Sequence, residues 1–354
     1  MQIDFHHATT YVVARDAGFS HDDAGIIAYA AQYVDDATSS GTVYFDNRAV
    51  YNRISSAHKM LDMRNTEELA NHEVWMPFHF LPGNGGLAAG QHPGDKFIDK
   101  IVCTPNSPIA QEMVRDAILE KNRDYGLHRL GVTMHVYADT WAHQGFAGVL
   151  HDVNEVEDAE ETGKSGLFAG GLANVLNDLL DDAIPPLGHG RAQTFPDMPF
   201  LQWQYENRHG DIIKRNNTKD FLEAANNMCI AMRRYIKGDP NAHVTGLTRN
   251  TRDQIENMFT TTLLKDGDER HQVWLAAIRN GVFTVCGKTN IDDYFARGSD
   301  SWKADALGTS HDLPVHQYKE HFLKSQWKLF HDAIQAHRFN VVYNILPRYG
   351  ICAA

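Results

Sequence analysis

The chain has 354 residues and a formal net charge of −12. An acidic surface repels phosphate backbones, which counts against a double-stranded nucleic-acid partner, and no apolar run approaches the ~20 residues that span a bilayer. The opening Met1-Gln2-Ile3-Asp4-Phe5-His6-His7 lacks the basic and apolar regions of a signal peptide, and Cys103, Cys229, Cys286 and Cys352 form no CxxC pair, so a reducing cytoplasm is the expected location.

No linker divides the chain, and a single domain over 1–354 is expected. Two helices are predicted over 8–18 and 21–37, separated by Gly18, with Ser20 as N-cap ahead of Asp22 and Asp23. A helix is expected over 46–64. The segment 73–94, with Pro77, Pro82 and several glycines, reads as an irregular, partly buried loop. Ser107-Pro108 starts a helix running to about Lys121, and another covers roughly 124–148. The acidic, then glycine-rich stretch 152–171 reads as an exposed loop. A helix over about 172–183 precedes an irregular segment from Pro185 to Phe200. Further helices fit 217–237, 249–263, 269–280 and 313–345. With no alternating strands and no internal repeat, the expected class is all-α with long irregular loops.

Chemistry concentrates in one stretch. His135, Asp139 and His143 follow i, i+4, i+8 spacing, with Val136, Ala138, Trp141 and Ala142 between them. Each step of four drifts ~40°, so the three share one broad helix face. A carboxylate and two imidazoles on an apolar stripe need partners. Two helical turns rise roughly 12 Å, too far for one ion with ~2.0–2.2 Å bonds to take all three. The spacing therefore suggests His135 on one ion, His143 on another and Asp139 between them, and paired ions suit phosphoester hydrolysis. Three polar residues on a solvated face are the plain alternative.

The other candidates are weaker singly. His79, between Phe78 and Phe80, fits a core histidine bonded to a backbone carbonyl at least as well as a ligand. His6 fits a free surface histidine. Asp35 and Asp36 end an apolar helix, where the dipole disfavours acidic groups, which points to a cation nearby. His189, between two glycines, fits either a ligand or a turn, and Asp197 either a ligand, a general base or a cap. Trp203 and Tyr205 fit core packing better than a pocket wall. The C-terminal His311, His316, His321, His331 and His337 read as exposed helix faces.

Taken in order, an early histidine, Asp35-Asp36 at a helix end, His79 in a PFHF loop, HxxxDxxxH and then His189 resemble the zinc-dependent phospholipase C and single-strand nuclease superfamily. A set of uncharacterised bacterial proteins with DFH, QYVDD and PFHF motifs is similar as well. The resemblance covers about the first 200 residues. It implies an all-α fold with one to three zinc ions. Asp35 or Asp36, His79, His135 and Asp139 would hold one ion, His6 and Asp139 would touch a second, and His143 and His189 would hold another, with Asp197 a possible addition. The family's mature N-terminal tryptophan, whose amine binds zinc, has no counterpart in Met1-Gln2-Ile3, and Gln193 stands where the family has a carboxylate four residues after the last histidine. The function it implies is hydrolysis of a small-molecule or lipid phosphoester, with Asp36, Asp139 and Asp197 as candidate catalytic carboxylates. The alternatives are a helical HD-type phosphohydrolase, using His151-Asp152, His311-Asp312 or His331-Asp332, and a non-catalytic metal-binding or interaction protein.

Overall fold

The structure is a computed structural model that describes residues 1–58, 72–163, 165–167 and 187–352. The expected helix over 172–183 lies outside the described residues, as does the end of the one expected over 46–64.

A π-helical segment, Asp4–Thr9, runs into α1 (Thr10–Ala17), which ends at Gly18 in the left-handed region. Helix α2 (His21–Asp36) starts where expected, with Ser20 Oγ accepting from the Asp23 amide. Two short helices follow, α3 (Trp75–Phe78), which takes in the start of PFHF, and α4 (Phe97–Ile101). Ser107 caps α5 (Pro108–Leu119), with proline in its first turn. Helix α6 (Gly126–Ala142) carries HxxxDxxxH and ends at His143. Then come α7 (Asn217–Lys237), α8 (Arg249–Thr261), α9 (Gly267–Arg279), α10 (Trp302–Leu307) and α11 (Gln326–Phe339).

Helix α6 is the axis of the molecule. Apart from Leu127 every residue in it is buried, and α2, α5, α7 and α11 pack around it. A helix wrapped on all sides is expected to be apolar throughout, so Arg129, His135 and Asp139 stand out on it. Gly131 sets the approach of α2: a Cβ there would lie 2.5 Å from the Ile27 carbonyl oxygen and 2.7 Å from Ala30 Cβ.

The all-α expectation is overturned. Five strands form two small antiparallel sheets beside the helices, so the fold mixes helix and sheet. Strands β1 (Gly41–Tyr44) and β2 (Val50–Arg53) make a hairpin where a helix over 46–64 was expected. Asn47 Oδ1 accepts from the Ala49 amide, and Arg48 adopts a φ of 72°. The β-branched and aromatic residues on either side of this Asp-Asn turn suit strands. Strands β3 (Glu157–Glu161), β4 (Gln202–Glu206) and β5 (Ile212–Asn216) form the second sheet, in the order β3-β4-β5. The first of these replaces part of the loop expected over 152–171. Helix 313–345 is also shorter than expected: Ser325 caps α11 at Gln326, and beyond Phe339 the chain widens into a π-helical turn and then tightens into a 3₁₀ turn. Among the described residues no helix is long and apolar enough to cross a membrane.

The second sheet positions the late loop. Trp203 and Tyr205 on β4 pack with Phe146, Phe80, Phe195 and Met198 in a cluster of their own. Strand β5 runs straight into α7, and Asn217 at the junction ties the parts together. Its Nδ2 donates to the Phe195 oxygen at 2.6 Å and to the Met198 oxygen at 2.8 Å, while its Oδ1 accepts from Trp203 Nε1 at 3.0 Å. Both amide ends are thus satisfied in a fully buried side chain, and the turn bearing Asp197 is fixed.

Alanine at Gly131 gains up to ~1 kcal/mol in helix propensity, but the obstacle is the backbone of α2, and overpacking costs about 1–3 kcal/mol. Gly131→Ala is therefore expected to lower the urea midpoint; a raised midpoint would show that the helices yield.

Candidate metal centre

Eight side chains from five parts of the chain meet at the middle and end of α6. They form three overlapping groups: His6, Asp35 and His135; His79, His135 and Asp139; His143, His189 and Asp197. In each, the three donor atoms lie within 4.8 Å of one another. Two donors on one ion with ~2.1 Å bonds stand at most ~4.2 Å apart, so small side-chain adjustments suffice.

Asp139 is the hub. Its Oδ2 lies 3.3 Å from His135 Nε2, 3.6 Å from His79 Nδ1 and 3.6 Å from His143 Nδ1. Its Oδ1 lies 3.2 Å from His6 Nε2 and accepts a 2.8 Å hydrogen bond from the Met1 α-amine. That amine is also 3.1 Å from Asp197 Oδ1. A positive nitrogen thus already sits between two carboxylates. Burial opposes its charge, but Asp139 and Asp197 prevail and push its pKa up to about 11. Burial alone would raise the Asp139 carboxyl; His143, the Met1 amine, His135 and His6 hold it well below the usual carboxylate range.

Three histidines are oriented by backbone carbonyls. His79 Nε2 donates to the Ser56 oxygen at 2.9 Å, His143 Nδ1 to the His79 oxygen at 2.7 Å, and His189 Nδ1 to the Gln193 oxygen at 2.7 Å. Each bond places the proton on the anchored nitrogen and leaves the other as a lone-pair donor. The free nitrogens face the carboxylates: His79 Nδ1 is 3.7 Å from Asp35 Oδ1, His143 Nε2 3.7 Å from Asp197 Oδ1, and His189 Nε2 3.6 Å from Asp197 Oδ2. His6 and His135 stack with ring centroids 3.8 Å apart. Desolvation lowers the pKa of His6 to about 3 and those of His135 and His143 to about 4, so these imidazoles are neutral at pH 7, the form that binds a metal.

The donor set passes a test of fit. His6 Nδ1 is buried without a hydrogen bond, and His6 Nε2 and Asp197 Oδ1, although 3.2 Å from Asp139 Oδ1 and 3.1 Å from the Met1 amine, lack a well-directed one. Buried polar atoms are rarely left so, and a cation drawing on His6 and Asp197 would meet that need. Imidazole and carboxylate together suit zinc, though not zinc alone. Of the eight side chains, those of Asp35 and His189 reach solvent most, at 34% and 18% exposed.

The structure brings together His6, Asp35, His79, His135, Asp139, His143, His189 and Asp197. Asp36 does not join them, which corrects its expected place as ligand and catalytic carboxylate. One residue on around the helix end, its Oδ2 accepts from Tyr294 Oη at 2.6 Å and from Gln32 Nε2 at 3.2 Å. Of the C-terminal histidines expected on exposed faces, His316, His331 and His337 are buried. The sequence reading missed the Met1 amine, the Ser56 and Gln193 carbonyls and the role of Phe80, whose ring stacks on His143 at 4.5 Å. Gly188, with φ of 56°, lies where a Cβ would fall 2.2 Å from Phe80 Cζ, so the His-flanking glycine is there for close approach.

A family model covers nearly the whole chain, residues 1–345. The chain belongs to the DUF6765 family. That family is described as one of unknown function. No curated protein and no solved structure matches the chain.

Two predictions follow from this geometry. Asp35→Asn should weaken metal retention by about tenfold or more, whereas Asp36→Asn should leave it unchanged; equal loss in both, by elemental analysis after dialysis, would put Asp36 back in the site. For the metal-stripped protein, burial holds His6, His128, His135, His143 and His331 below their ordinary value of 6.5. The unfolded chain then takes up protons that the folded chain refuses. The histidine contribution to stability is full above pH 6.5 and falls toward pH 4, opposed by the raised carboxyls of Asp4, Asp35, Asp36 and Asp220. The melting temperature at pH 5 should lie below that at pH 7, and a rise would show that the carboxyls dominate.

Proposed function

We propose that this protein is a metal-dependent hydrolase of phosphoesters, with zinc the preferred ion and one to three ions bound. The observation that carries the reading is the set of carbonyl-anchored histidines, His79, His143 and His189, whose free nitrogens converge on the buried carboxylates of Asp139 and Asp197. Anchoring of this kind fixes tautomer and ring orientation at metal sites. Resemblance to the zinc-dependent phospholipase C and single-strand nuclease superfamily, drawn from the same motifs, supports it.

Divalent ions in such a site lower the pKa of a bound water toward ~7 and neutralise charge that builds on phosphoryl oxygens. The protein's share is placement. Asp139 presents oxygens to both ends of the cluster, so His135 and His143 act on one substrate although they stand two helical turns apart. Phe80 and the apolar faces of α6 limit water on the inner side. Asp35 and His189, the most exposed of the eight, line the way in for a small-molecule or lipid phosphoester, and Asp35 or Asp197 is placed to orient the attacking water.

The HD-type alternative loses its carboxylates to other partners: Asp152 pairs with Arg208, Asp312 with Arg53 and Lys303, and Asp332 with Lys328 and Tyr51. A purely structural ion would be expected in a closed shell, and the solvent reach of Asp35 and His189 favours catalysis instead. The free cysteines fit a cytoplasmic location.

Elemental analysis of the purified protein, followed by assays on phosphomonoester and phosphodiester nitrophenyl substrates, tests the reading. Asp139→Ala should lower turnover by about a hundredfold or more and release most of the metal. Full metal content in that variant, or hydrolysis that survives chelation, would end it.

A further inference from the structure

Next to the His/Asp cluster, on the other side of the end of α2, lies a cleft of about 630 Å³ between β2 and the segment 296–312. Asp36 faces it, whereas Asp35 faces the cluster. Three cations line it: Arg53, Arg297 and Lys303. Set against a net charge of −12 for the chain, this is a local reversal of sign, and the carboxylates on hand do not cancel it. Asp36, which accepts from the neutral donors Tyr294 and Gln32, offsets one of the three charges. Asp312 Oδ1 accepts from both Arg53 Nη1 at 2.9 Å and Lys303 Nζ at 2.7 Å, so one negative charge answers two positive ones. Arg297 is exposed and has no hydrogen-bond or ion-pair partner among the described residues.

The buried wall of the cleft carries unmet donor capacity. Arg53 is only 8% exposed, and its Nε is buried without a hydrogen bond. His331, 2% exposed, leaves Nδ1 in the same state. A buried guanidinium is costly unless its N–H groups find acceptors, and its planar fork matches the oxygens of a phosphate. The volume lies within the range of small-ligand sites, larger than a bare phosphate needs. Tyr33 and Trp327 offer aromatic wall to the remainder of a ligand.

We infer that this cleft binds the phosphate group of a small phosphorylated molecule, at a site separate from the His/Asp cluster. Arg53 and Arg297 grip the phosphoryl oxygens, Lys303 adds charge, and Asp312 holds Arg53 and Lys303 in place until the anion competes for them. The site stands whether or not the cluster hydrolyses phosphoesters.

Calorimetric titration of the full chain with inorganic phosphate tests the inference, with circular dichroism confirming that each variant is folded. Arg297→Gln, at an exposed and unpartnered position, should weaken binding about tenfold. Asp312→Asn removes the competing charge and should tighten it several-fold, a change that damage to the fold cannot produce. Binding should persist after chelation, which empties the metal centre. Absence of binding in the native protein would overturn the inference. So would binding that chelation abolishes and that neither variant moves, since the phosphate would then sit on the cluster. Loss of metal-dependent hydrolysis with phosphate binding intact would count against the proposed function alone.

Discussion

A carboxylate at the centre of a fully wrapped helix has to be answered by positive charge or by hydrogen-bond donors, and Asp139 is such a carboxylate. With 1% of its surface exposed, it organises everything around the end of α6. The Met1 amine and His6 come from the first segment, His79 from the loop after α3, and His135 and His143 from the same helix. Electrostatics in so dry a setting are strong, and an unanswered charge costs several kcal/mol, roughly. The arrangement of the N-terminal segment, α2 and the PFHF region follows from meeting that demand. The energy of the centre therefore belongs jointly to the fold and to whatever cation the site receives.

The same reasoning explains which parts of the site could be read from the chain. HxxxDxxxH was legible because helical periodicity puts the three groups on one side, and the caps at Ser20 and Ser107 are local signals that local structure obeys. His79, His189 and Asp197 were legible only through their order in the chain, since taken singly His79 read as a core histidine and the other two as a turn and a cap. Which of Asp35 and Asp36 turns inward was not visible. It is settled by Tyr294, which is 258 residues further on and reaches back to claim Asp36. Nor could sequence show that Ser56 and Gln193 would lend their carbonyls, since any residue supplies one.

The fold class failed for a different reason. The β1–β2 hairpin carried alternating aromatic and β-branched residues around Asp46-Asn47, a turn signal outweighed by a helical reading of a longer window. The strands of the second sheet are short, and β3 is acidic, Glu157–Glu161, a composition that reads as solvent-facing loop. Its partner β4 supplies the buried Trp203 and Tyr205 that make the sheet stable. The C-terminal histidines misled in the opposite sense. His331 and His337 sit among charged residues in the sequence, yet both are buried: His331 packs on Trp327 at the wall of the cleft beside β2, and His337 Nε2 donates to the Pro77 oxygen at 2.9 Å.

Phe80 has a consequence that goes beyond filling space. Its ring lies 4.5 Å from that of His143 and 5.8 Å from that of His189, with Gly188 packed close against it. It therefore works as a buttress beside two imidazoles from unrelated segments, whose own rings stand 4.7 Å apart. A longer or shorter side chain there would reset the bite of the third donor group without touching a single donor atom. Evolution could thus retune which ion this corner prefers by changing a residue that has no lone pair to offer.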